Sequence, residues 1–86
     1  MNTIKKYPIS TGCKQTIELP LNARIIKCGR DHLDMPCLWA SISTTALTEK
    51  RTLLTYKTDE PLIDRLEYIG SYRRWSGLSH VFFVSK

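Results

Sequence analysis

The run Leu66 to Lys86, LEYIGSYRRWSGLSHVFFVSK, constrains this chain more than any other stretch. Two segments of β-branched and aromatic residues, Tyr68 to Tyr72 and His80 to Val84, flank a Trp75-Ser76-Gly77 turn signal, which is the pattern of a β-hairpin. Pairing within a hairpin is local, so it offers a nucleus of low entropic cost onto which the other strands dock. The tip of this hairpin carries Arg73, Arg74 and Trp75, a basic and aromatic cluster that burial alone does not require.

The upstream chain is a series of short alternating runs separated by breakers. Thr3 to Ile9 mixes Ile, Tyr and Lys, and Pro8 marks it as an edge strand. Lys14 to Leu19 places Lys14, Thr16 and Glu18 on one side and Gln15, Ile17 and Leu19 on the other, a half-buried strand that Pro20 ends. In Ala23 to Cys28 neither face is purely polar, which predicts a central strand. Cys37 to Thr44 is the most strand-like central run, with Leu38, Ala40 and Ile42 on one face and Cys37, Trp39 and Ser41 on the other. Thr45 to Lys50 reads as a connection with a short helical turn. Arg51 to Thr58, with Leu54 and Tyr56 on one face and Leu53 on the other, is expected to pair with the strand before it. Asp59-Glu60-Pro61 has the signature of a helix N-terminus, and Leu62 to Leu66 leaves room for a short helix only. Hydrophobic periodicity of the helical kind is missing almost everywhere. The expected fold is therefore mainly β, a small antiparallel barrel or sandwich of about six or seven strands with at most one short helix.

With 86 residues the chain makes one domain, residues 1–86, near the size at which a single core just offsets chain entropy. Each large apolar side chain is therefore expected to be buried unless a reason appears. A hydrophobic fraction of 42% and a charged fraction of 24% belong to an ordinary folded domain. The start, Met1 to Lys6, has no apolar core or cleavage site of a signal peptide, and no run approaches the roughly 18 apolar residues of a spanning helix. A cytoplasmic location without membrane association is expected, and three unpaired cysteines fit a reducing compartment.

The net charge of +5 favours anionic partners. Residues 1–30 carry Lys5, Lys6, Lys14, Arg24, Lys27 and Arg30 against Glu18 alone, and beyond Tyr68 stand Arg73, Arg74 and Lys86 with no acid. The middle of the chain is acidic on balance. Should the two ends lie together in the sheet, Lys5 and Lys6 would join the arginines in one basic face.

Catalytic and metal-binding patterns are weak. Cys13, Cys28, His32 and Cys37 make a formal zinc set, but no close pair of thiols is present to orient two ligands together, so Cys28 and Cys37 are read as small core residues. Neither His32 nor His80 comes with a third group to orient it as the base of a cysteine nucleophile. Asp31, Asp34, Asp59 and Glu60 read as loop or helix-terminus acids, and the four glycines stand singly, so no phosphate-cradling loop exists. No cofactor is expected.

The hairpin tip remains. Guanidinium groups bind phosphate or carboxylate through paired hydrogen bonds, and an exposed Trp75 offers a face for a base or an anchor for a protein pocket. Arg73, Arg74 and Trp75, with Tyr72 on the strand leading to them and Lys5 and Lys6 from the other end, are the candidate binding residues. In the competing reading, Trp75 folds back over the core and the arginines only solvate the turn.

Several short motifs in fixed order carry a resemblance over most of the chain. They are Leu19-Pro20 with Ala23-Arg24-Ile25-Ile26, Met35-Pro36-Cys37-Leu38-Trp39-Ala40, Tyr68-Ile69-Gly70-Ser71 and Ser79-His80-Val81-Phe82. In these the chain resembles a small uncharacterised family, a domain of unknown function encoded mostly by bacteriophages and prophages. Where that family often has a glycine-containing turn this chain has Thr58-Asp59-Glu60-Pro61, and neither the cysteines nor Arg73-Arg74-Trp75 belong to the shared pattern. The resemblance implies a phage origin and a compact β-rich fold, and brings no catalytic residue. The expectation is a non-enzymatic accessory protein that binds and inhibits a host macromolecule with an acidic surface, such as a component of a bacterial defence system. The alternative is a nucleotide or nucleic-acid binder, either a sponge for a signalling nucleotide or a single-strand binder. A homodimer formed by edge-strand pairing, for instance through Thr3 to Ile9, is compatible with both.

Overall fold

Alternation with a period of two, broken every several residues by Gly, Pro, Asn or Asp, leaves strands as the only elements that can bury one face of each run. The computed structural model describes residues 2–85. Met1, and Lys86 of the basic C-terminal end, lie outside the described residues. Seven strands follow in order: β1 (Asn2–Pro8), β2 (Lys14–Pro20), β3 (Arg24–Arg30), β4 (Pro36–Ser43), β5 (Thr48–Lys57), β6 (Leu66–Arg74) and β7 (Gly77–Val84). All pairings are antiparallel. One sheet has the order β1-β4-β3 and the other β2-β5-β7-β6, and the two face each other as a sandwich.

The core lies between the sheets. Leu38, Ala40 and Ile42 of β4 point into it from the first sheet, as their alternation predicts, and meet Leu53, Tyr72, Val81 and Phe83 of the second, with Leu19 and Ile9 closing the margin. Leu38, Leu53 and Val81 are wholly inaccessible, and each such side chain contributes roughly 1.5–3 kcal/mol.

Four expectations are corrected. β3 is an edge strand, not a central one; its mixed faces arise because Ile26 is the extra residue of a β-bulge, 55% exposed, while the inward side of β3 packs beside β6. β4 and β5 do not pair. The connection between them passes from one sheet to the other, and β5 begins at Thr48, so Thr48-Glu49-Lys50 is strand where a helical turn is expected. No helix forms over Leu62 to Leu66. Lys57 N–H donates to the Glu60 side chain and Glu60 N–H to the Lys57 carbonyl, closing a turn after β5, and Arg65, inside the segment itself, takes φ 62°, a left-handed value that a right-handed helix cannot contain.

Of the four sheet edges, those of β3 and β6 close against each other. Gly70 sits at this junction with φ 150°, and a Cβ built there would lie 2.4 Å from Cys28 Cβ. Only glycine lets the two strands approach so closely. Among the described residues no helix is long and apolar enough to cross a membrane, which says nothing of membrane-spanning strands.

Candidate functional site: a basic tip with an exposed tryptophan

The hairpin of β6 and β7 turns through Trp75 and Ser76, with Arg74 opposite Gly77. Neither turn residue takes a positive φ. Gly77 does, at 127°, a value that residues with a Cβ rarely adopt, so the distortion falls on the first residue of β7, just after the two-residue turn. This geometry projects Trp75 away from the sandwich. The indole is 95% exposed, which rejects the reading that it folds back over the core.

Alternation along β6 sends Tyr72 and Arg74 toward the first sheet and Arg73 to the opposite face. Tyr72 is therefore core, 3% exposed, and not part of a binding surface as expected. The neighbour that the fold brings to the tip is Arg30, at the end of β3. Its Nε donates a 2.6 Å hydrogen bond to the Arg73 carbonyl, and its Nη1 lies 3.7 Å from the Asp34 carboxylate. Arg30, Asp34, Arg73, Arg74 and Trp75 line a shallow cleft of about 330 Å³. Three guanidinium groups share it with one carboxylate, and neither Arg73 nor Arg74 has an acidic partner within salt-bridge distance among the described residues. Such a surface suits carboxylates presented beside an apolar group.

Neither Lys5 nor Lys6 lines this cleft; both stand on β1, the edge of the first sheet opposite β3. Lys5 Nζ lies 5.5 Å from the Tyr7 ring. Lys6 Nζ donates to Asp31 Oδ2 at 2.8 Å, and this bond raises the lysine pKa above its ordinary value. Asp31 is the hub of the β3–β4 loop. Its Oδ1 accepts from the Leu33 and Met35 N–H groups and its Oδ2 from Lys6 and, at 3.6 Å, the Cys37 thiol. The Lys6 ammonium first, then the Met35 N–H, hold its carboxyl well below the usual carboxylate range. The hub fixes the loop whose Asp34 borders the cleft.

Cys28 and Cys37 are strand residues, as expected, on opposite faces of the first sheet. Burial pushes the Cys28 thiol up to about 11, and burial followed by the Asp31 carboxylate raises that of Cys37, so neither is an activated nucleophile. Among the described residues no group of His, Cys, Asp and Glu is placed to hold a metal ion. His80 Nε2 is 2.9 Å from the Thr58 hydroxyl in the loop after β5.

Two features escape sequence reasoning. Arg30 is one, since nothing in its local context connects it to Arg73. The other is the outer face of the second sheet, where Leu54, Phe82 and Tyr68 stand in one cross-strand row. Phe82 makes edge-on ring contacts with Tyr56 at 5.7 Å and Tyr68 at 5.4 Å. The Leu54/Tyr56 alternation signals one strand of this row, but its assembly depends on the order of strands in the sheet.

No curated protein and no solved structure matches the chain. One family model does, over residues 1–86, and the chain belongs to that family, described as a domain of unknown function (DUF7352).

Proposed function

We propose that this protein is a non-enzymatic binding protein that docks through its hairpin tip on an acidic protein surface. For a chain of phage or prophage origin that surface belongs to a host protein, and occupying it in the host cytoplasm inhibits the complex to which that protein belongs, such as a bacterial defence system. The observation that carries the reading is Trp75, 95% exposed beside the arginines of the cleft. Burying a tryptophan removes about 200 Å² from water, worth roughly 5 kcal/mol, which a small domain forgoes here. Trp and Arg are also the residues that most often dominate interface energies.

The cleft beside Trp75 is at the lower bound of volumes that enclose a small ligand, which favours a protein surface over an engulfed nucleotide. Affinity capture from host lysate, followed by titration with the purified partner, tests the proposal. One stoichiometric protein partner is expected, lost on joint Arg73→Glu and Trp75→Ala substitution while the far-ultraviolet circular dichroism is unchanged. Absence of a partner, or binding indifferent to both substitutions, overturns it. Capture of nucleic acid with an affinity that falls steeply with salt replaces it with the single-strand reading.

A further inference from the structure

The β3 and β6 edges close on each other, whereas β2 leaves the second sheet with an open edge. Two backbone hydrogen bonds fix which of its groups face outward. Thr55 N–H donates to the Cys13 carbonyl and Leu21 N–H to the Leu47 carbonyl, both in the register that pairs Gln15 with Leu53 and Ile17 with Arg51. In an antiparallel ladder hydrogen-bonded and non-hydrogen-bonded pairs alternate, so Gln15, Ile17 and Leu19 bond to β5. Lys14, Thr16 and Glu18 therefore direct their N–H and C=O groups away from the sheet. Pro20 shares this parity, which is where a strand tolerates a missing donor.

We infer that two copies of this chain associate through β2, antiparallel about a two-fold axis at Thr16. That register pairs Thr16 with its own copy and Lys14 with the second copy's Glu18, twice over by symmetry, as an isologous contact demands. All three residues are exposed and all three carry the outward backbone groups, so each pair exchanges both of its hydrogen bonds. On the other face Gln15 meets Ile17. The product is one continuous sheet of twice the width.

Other registers are worse. Centring on Glu18 sets two carboxylates opposite each other, and centring on Ile17 sets Lys14 against Pro20, which has no donor. The β1 edge is a poorer partner for itself. It has no acid, Lys6 is held by Asp31, and pairing about Lys5 opposes two ammonium groups. The inference is independent of the tip, which lies at the far end of β6.

Sedimentation equilibrium at low ionic strength, from about 1 µM to about 1 mM protein, tests it. The mass is expected to rise from the 9.9 kDa of one chain toward twice that. Thr16→Pro, which removes an outward donor and no bond to β5, is expected to stay monomeric with unchanged circular dichroism. Lys14→Glu is expected to raise the dissociation constant at least about tenfold, and Lys14→Glu with Glu18→Lys to restore it. A monomer throughout the range, a dimer indifferent to Thr16→Pro, or a double reversal that fails to restore association overturns the inference.

Discussion

The Arg30 side chain reaches across the sandwich margin to hold the Arg73 carbonyl at 2.6 Å, so the edge strand of one sheet clamps the hairpin tip of the other. A charged donor on a carbonyl contributes about 1.5–3 kcal/mol when dry and less when solvated, and here the Arg30 side chain is 34% accessible. Arg30→Ala is expected to lower stability by about 1 kcal/mol in urea unfolding and to speed amide exchange around Trp75. Arg30→Lys is expected to recover little of this, because an ammonium lacks the planar fork that serves Arg73 and Asp34 together.

Gly70 and Gly77 separate steric clash from backbone strain. Both have positive φ, but a Cβ at Gly70 would lie 2.4 Å from Cys28 Cβ while one at Gly77 meets nothing within 4 Å. Gly77→Ala is expected to cost about 1 kcal/mol, the strain of the conformation alone. Gly70→Ala is expected to cost at least about 3 kcal/mol, because β3 and β6 must also separate. Adding Cys28→Gly is expected to return the clash component and leave the strain, a coupling that a double-mutant cycle of urea midpoints reads directly.

The strands themselves are legible from alternation, and the inward set of β4 is readable residue by residue, because a period of two records which face is buried. It does not record the partner. β4 and β5 look like neighbours in sequence, yet the sandwich puts them in different sheets, and β3 looks central because a bulge at Ile26 exposes an isoleucine on an edge. The helix expected after Pro61 fails because a start signal needs more residues than Leu62 to Leu66 to propagate. At the tip, Arg73, Arg74 and Trp75 are visible in sequence but the exposure of Trp75 is not, since a chain this small is expected to bury it. Arg30 stands 43 residues from Arg73, and only the closure of β3 on β6 joins them.

Asp31 gives the fold a pH dependence of definite sign. Its carboxyl is held below the usual carboxylate range, by Lys6 first and the Met35 N–H next, so the carboxylate stabilises the folded state fully above the unfolded value of about 3.9. That contribution is lost as pH falls below about 4 toward the folded value. Lys6 is shifted up, so its share is complete at neutral pH and is lost only as pH rises through its raised folded value. The stability difference between the native chain and Asp31→Asn is therefore expected to be flat between about pH 5 and 9 and to shrink at both ends, measured as urea midpoints across pH.

Tyr72 lies next to the tip in sequence and inside the core in space, which makes it the control for the surface reading. Its hydroxyl is buried without a hydrogen-bond partner among the described residues, and its ring packs with Leu38, Leu53 and Val81 in the core cluster. A buried hydroxyl that makes no bond is penalised by its lost hydration, a cost of about 1–3 kcal/mol that phenylalanine does not incur. Tyr72→Phe is therefore expected to leave stability unchanged or raise it by about 1 kcal/mol, and to leave capture of an acidic partner unaltered. Tyr72→Ala is expected to cost about 3–5 kcal/mol through the cavity alone. If Tyr72→Phe instead weakened partner capture without loss of stability, the hydroxyl would have to reach the surface in the bound state, and the division between a core Tyr72 and a binding Trp75 would fail.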